Sequence, residues 1–162
     1  IATPNSCHLH NGLEVIKNNC PILIEKPITT SSRDTLKLIE ASRKNNVEIL
    51  VGHHRRHNPI IQKALEIINN NQIGKIRTVH VHCQMFKPNR YFQESEWQKQ
   101  EGAGPIFVNL IHDLDLMNHL FGDVKSVFAH SQLSIRGYEN EDVSSIILEF
   151  KNGILWDKKR CL

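Results

Sequence analysis

The run Ile22-Leu23-Ile24, followed at once by Glu25-Lys26-Pro27, constrains the fold more than any other stretch. A short apolar run with β-branched members and no room for a helix predicts a strand buried on both faces, the habit of parallel sheets. In open α/β sheets ligands bind in the crevice beyond the C-terminal ends of the strands, so Lys26 is placed for chemistry. Pro27 fixes one torsion and removes a donor, which stops the strand at a defined place. A charged residue after a strand is also ordinary turn composition, and Lys26 takes its meaning from what surrounds it.

The flanking segments repeat a unit. Ile1-Ala2 reads as the end of a strand that Thr3-Pro4-Asn5 stops, and Leu9, Leu13, Val15 and Ile16 predict a helix over residues 6–17. After Pro27, the hydroxyls of Thr29-Thr30-Ser31-Ser32 cap a second helix with a stripe of Leu36, Leu38, Ile39 and Ala41, and residues 47–51 give another strand. Two such units in succession imply helices packed on a parallel sheet. The polar Gly52-His53-His54-Arg55-Arg56-His57-Asn58-Pro59 follows that strand, and residues 60–68 form the next helix.

From Lys75 the period changes to two. Val79, Val81, Cys83 and Met85 alternate with His80, His82, Gln84 and Phe86, and residues 124–134, 142–150 and 153–158 give further strands, the last two joined by Lys151-Asn152-Gly153. Strands after βα units imply a second, α+β domain with an open, mainly antiparallel sheet. The boundary is expected near Asn71, which divides the chain into a first domain over residues 1–71 and a second over 72–162.

Between the first two of those strands, Gly102-Ala103-Gly104-Pro105 predicts a loop entering a helix that runs to about Leu120 before Gly122 stops it. At helical spacing Val108, His112, Asp115 and His119 share one stripe, with Asn109 on its flank. His119, near the C-terminal end, suits the helix dipole, whereas His112 sits mid-helix in an apolar segment and must find partners.

Composition excludes several classes. A net charge of +3 with scattered basic residues gives no nucleic-acid surface, and 40% hydrophobic with 23% charged residues is that of a globular protein. The four cysteines form no CxxC pair, which speaks for a reduced, cytoplasmic setting without zinc. No apolar run reaches membrane-spanning length. His53, His54 and His57 with Cys83, or His112 with Asp115 and His119, are the alternatives for a metal, but adjacent histidines point apart and the helix set lacks a further ligand; no metal is expected.

Ala2-Thr3-Pro4-Asn5 with His8, then Glu25-Lys26-Pro27, then Gly52 with Arg56 and Pro59, then Gly102-Ala103-Gly104 leading to His112, Asp115, Leu120 and Gly122 resemble the successive signatures of the glucose-fructose oxidoreductase / inositol dehydrogenase (Gfo/Idh/MocA) family. The resemblance implies a partial Rossmann dinucleotide-binding domain over residues 1–71, a partial substrate and oligomerisation domain over 72–162, and hydride transfer between NAD or NADP and a secondary hydroxyl of a sugar, polyol or nucleotide sugar, in a homo-oligomer without nucleic-acid or membrane partners. It implies that Thr3, Pro4, Asn5, His8, Glu25, Lys26 and Pro27 wall the cofactor site. Lys26 and His112 would be the catalytic pair, and Arg56, Asn109 and Asp115 would meet the substrate. Many members carry an aspartate one turn before the helix histidine; here that position is Val108, and Asn109 beside it cannot accept a proton as a base.

Hydride leaves a secondary alcohol carbon only as the hydroxyl proton is removed, so a base within hydrogen-bond reach is needed. Lys26, desolvated beside a cationic nicotinamide, would have its pKa lowered toward neutrality, and His112 would hold the oxygen. The glycine-rich phosphate loop that such an enzyme needs does not occur before Ile1. The chain is therefore expected to be an interior piece, and the alternative is a catalytically inactive fragment that self-associates or binds.

Overall fold

Ile22, Ile24 and the strand after them find their partners as the periodicity predicts. The computed structural model describes residues 1–160, with side chains as far as Leu155, so Cys161 lies outside the described residues. The chain divides into two compact units, 1–53 and 54–162.

In the first unit β1 (Ile22–Ile24) and β2 (Ile49–Val51) are parallel neighbours, with Ile22 opposite Ile49 and Ile24 opposite Val51. Ile1 lies alongside: its amino group donates to Leu23 O at 2.6 Å, and Glu25 N donates to Ile1 O at 2.9 Å. A 3-10 turn at Asn5–Cys7 leads into α1 (His8–Lys17). Helix α2 (Ser32–Asn45) starts where Ser31 accepts from Asp34 N and ends at Asn46, whose φ of 52° reverses the chain. Ile16, Ile22, Ile24, Leu38 and Val47 form the core, and each buried aliphatic side chain contributes roughly 1.5–3 kcal/mol. Gly12 lets α1 and α2 meet closely in mid-helix: a Cβ there would lie 2.7 Å from Leu38 Cδ2, which would have to shift to admit it.

Burial of β1 on both faces does not hold: Leu23 and Leu50, opposite each other, are 63% and 64% exposed. Alternating residues point to opposite faces. The side chains of α1 and α2 gather with Ile22 and Ile24, so the Leu23 face is left uncovered.

The second unit is a four-stranded sheet in the order β3-β6-β5-β4, made by β3 (Thr78–His82), β4 (Val124–Leu133), β5 (Glu141–Phe150) and β6 (Leu155–Arg160). β3 and β6 are parallel; the other pairings are antiparallel. The hairpin turn at residues 151–153 forms, with Gly153 at a φ of 84°. Leu110, Leu116, Met117 and Phe121 pack on Ile146, Leu148, Phe150 and Ile154. On the opposite face of the sheet Phe128 and Ile147, neighbours across β4 and β5, are 69% and 43% exposed.

Three expectations are corrected here. Helix α3 (Pro59–Asn69) belongs with the second unit, where Ile61 and Ile68 pack against its core, so the division falls at His53/His54 and not near Asn71. The alternating stretch stops at His82, where the pairing of β3 with β6 ends, and Phe86 beyond it is 77% exposed. The predicted single helix after Pro105 is a π-helical turn at Ile106–Leu110 followed by α5 (Ile111–Phe121), closed by Gly122 at a φ of 82°.

Candidate active site

In the first unit β1 and β2 end side by side, with Gly52 N donating to Ile24 O at 2.8 Å. The turn after β1 is tied to the turn before α1 by one side chain. His8 is fully buried, with Nδ1 2.8 Å from Pro27 O and Nε2 2.9 Å from Thr3 O. Both partners are carbonyl oxygens, so a ring with one proton donates to one of them and only a doubly protonated ring donates to both. Asn11 adds a hydrogen bond of 3.1 Å to Thr3 Oγ1, and Pro4 O accepts from Cys7 N to close the turn through Asn5. Thr3, Pro4, Asn5, His8 and Pro27 are thereby one structural feature. Lys26 is half-buried at the strand end, and its N–H is 3.3 Å from Glu25 Oε2. A Cβ on Gly52 would lie 3.3 Å from the Glu25 carboxylate.

In the second unit α5 carries His112 and Asp115, 8% and 9% exposed. Three consecutive residues of the 3-10 turn at His54–His57 address this helix. The His54 ring packs on the His112 ring with centroids 5.0 Å apart and planes at 69°. Arg55 donates to Asp113 Oδ1 at 3.0 Å. Arg56 Nε donates to both oxygens of Asp115, at 2.9 and 2.8 Å, and its Nη2 donates to Oδ1. The hydrogen bonds to Asp115 hold the Arg56 guanidinium above its ordinary pKa, against the effect of burial. Because the two arginines face two aspartates, the cluster is close to neutral. A groove of about 480 Å³ opens beside it, lined by His54, Arg55, His57, Asn58, Ile61 and Leu116.

The loop before α5 accounts for Gly104. Glu141, at the start of β5, accepts from Ile106 N at 2.7 Å and so caps the N-terminal turn, where a negative charge is favoured. A Cβ on Gly104 would lie 2.1 Å from that carboxylate. Through the π turn Val108 and Asn109 face a small cavity with Lys87, Tyr91, Phe92 and Asn140, of about 10 Å³, room for one water-sized group. Asn109 Nδ2 lies 3.9 Å from Met85 Sδ. Burial pushes the Tyr91 hydroxyl above the ordinary phenol value, and Lys87 Nζ stands 4.1 Å over its ring.

The structure thus joins His112 and Asp115 with Arg56, and Thr3, His8 and Pro27 with one another, but puts Asn109 in a separate pocket. Asp113, Glu141 and Lys87 were not singled out from the sequence, and His54 only as an alternative metal ligand. The matched doublets Arg55-Arg56 and Asp113/Asp115 were the one available signal. Among the described residues no group of three or more His, Cys, Asp or Glu side chains is placed to hold a metal ion, and no helix is long and apolar enough to cross a membrane.

Residues 61–157 match the GFO/IDH/MocA C-terminal domain, and residues 1–53 match the oxidoreductase family with an NAD-binding Rossmann fold. An oxidoreductase, P35, of Formosa agariphila is 30% identical over 95% of this chain and 49% of its own length. The scyllo-inositol 2-dehydrogenase (NAD(+)) of Bacillus subtilis is 28% identical over 97% of this chain and 46% of its own. The crystal structure of the WlbA dehydrogenase from Bordetella pertussis, in complex with NADH and UDP-GlcNAcA, superposes with a TM-score of 0.92 at 25% identity, covering 98% of this chain and 46% of that one. The chain spans about half the length of these relatives.

Proposed function

We propose, for a chain that belongs to the GFO/IDH/MocA oxidoreductase family, that its residues form part of an NAD(P)-dependent dehydrogenase acting on a secondary hydroxyl of a sugar, polyol or nucleotide sugar. The observation that carries this reading is His112, buried and clamped by a turn that devotes three successive side chains to its helix. Holding an imidazole so firmly beside two ion pairs serves a reaction better than it serves packing. The relatives support the substrate class: one is a scyllo-inositol dehydrogenase, and another was crystallised with a nucleotide sugar.

The residues fit the nicotinamide end of a dinucleotide, because the His8 staple fixes the Thr3 and Pro27 carbonyls in place and leaves Lys26 half-buried at the strand end. Thr3, Pro4, Asn5, His8, Glu25 and Pro27 would wall that site. The cofactor, when bound, would supply the hydride acceptor. Lys26 takes the hydroxyl proton at its Nζ as the carbon–oxygen double bond forms, and His112 holds the reacting oxygen by a hydrogen bond. Arg56 and Asp115 act on the substrate through the fixed position they give to His112's helix, while Asn109 meets a more distant part of it. A homo-oligomer formed through the exposed sheet face at Phe128 and Ile147, and a reducing cytoplasmic setting for Cys7, Cys20 and Cys83, complete the proposal.

The test is the appearance of reduced nicotinamide when the full-length protein is given NAD or NADP with inositols, aldoses and UDP-sugars in turn. Turnover of one class is expected, falling more than roughly a hundredfold in Lys26→Met while cofactor affinity by calorimetry stays within a few fold. An unchanged rate in Lys26→Met would overturn the assignment.

A further inference from the structure

We propose that His54 is a positioning residue for His112, acting through its ring and not through a proton. Three observations carry this. The two rings meet edge-on at 5.0 Å and 69°, a geometry in which each limits the rotation of the other. Their exposures are unequal: His112 is 8% exposed whereas His54 is exposed, so the outer ring covers the inner one. The backbone that carries His54 is fixed from two sides. Arg55 and Arg56 bind it to α5 through Asp113 and Asp115, and from α3 the Gln62 side chain donates to Arg56 O while Asn58 N donates to Arg55 O. A mobile surface histidine would need no such scaffold.

The consequence is mechanical. An imidazole that must hold a reacting oxygen is useful only in one orientation, and small displacements at a reacting centre cost large factors in rate. His112's own helix fixes its Cα, and the adjoining π turn leaves the preceding residues a wider spiral than an α-helix gives. His54 gives the ring a side support from another element.

The rate arm of the test rests on the dehydrogenase reading; a second arm does not. In the full-length protein, His54→Ala, His54→Phe and His54→Gln are compared with wild type for kcat and KM on whichever sugar or polyol the wild type oxidises. His54→Phe keeps an aromatic edge without a titrating nitrogen, and kcat within about threefold of wild type is expected. His54→Ala and His54→Gln should lose roughly ten- to a hundredfold in kcat with KM within about twofold. A wild-type rate in His54→Ala, or a His54→Phe as slow as His54→Ala, overturns the proposal. Independently, ¹H–¹⁵N correlation spectra of the histidine rings, with the His112 signals identified by His112→Gln, should show one sharp set in wild type and His54→Phe and broadened signals in His54→Ala. If wild type oxidises nothing, the dehydrogenase reading fails alone and the spectra decide: unchanged His112 signals in His54→Ala would refute the support.

Discussion

The two units hold their key side chains by different means. In the first, Lys26 is placed by backbone: a strand end, a proline and two turns stapled by the buried His8. In the second, His112 is placed by side chains, through one ring and two ion pairs reaching from a turn 58 and 59 residues away in the chain. Backbone turns are specified by a few adjacent residues, so the first arrangement is robust to most surface change. A clamp of opposite charges depends on both partners of each pair and fails when one is lost.

Breaking the clamp should give the largest effect. Asp115→Ala leaves the Arg56 guanidinium without its bidentate acceptor, and losing one partner of a buried pair costs about 3–5 kcal/mol. Arg56 is 38% exposed, which lets water recover part of this, so a loss of about 2–3 kcal/mol is expected in urea unfolding. Asp115→Asn, which keeps one acceptor, should fall between the variant and wild type.

Breaking the staple comes next. His8→Ala removes a fully buried ring and takes the donor from at least one of the Thr3 and Pro27 carbonyls, for an expected loss of about 2 kcal/mol. The comparison sharpens in the site of damage: hydrogen exchange should quicken within residues 1–53 in His8→Ala and around residues 54–57 and α5 in Asp115→Ala. Exchange that quickens over the whole chain in both variants would dissolve the distinction between the units.

The smallest effect concerns exposed pairs, which position nothing. Hydrogen bonds from Lys125 and Ser126 hold the Glu149 carboxyl below its ordinary value of 4.5. A depressed carboxylate contributes stability that is present above the unfolded value and is lost as pH falls through the folded one. The pair is at the surface, so thermal melts of Glu149→Gln should fall slightly short of wild type above about pH 5, with the gap closing as pH falls below 4.5.

What the sequence shows and what it hides follow the same division. Ser31 at the head of α2, the Asn152-Gly153 turn and the stop at Pro27 are local, and each was legible from neighbouring residues. The exposure of Leu23 was not, because an apolar run reads the same whether one face is covered or two. Nor was the π turn, since Ile106–Leu110 has the composition of any helix and Glu141, which accepts from Ile106 N, lies 35 residues away. The Arg55–Asp113 and Arg56–Asp115 pairs lie beyond any spacing rule, and Asn109, one residue from the expected position, turned toward Met85.

The central claim is that Lys26 and His112 serve one reacting oxygen. A double-mutant cycle tests it most directly: kcat/KM of Lys26→Met, His112→Gln and the combination in the full-length protein. Groups that act as a unit are strongly non-additive, so the double variant should be no more than about threefold slower than the worse single one. Two losses that multiply would mean that the residues work independently, and would contradict the account.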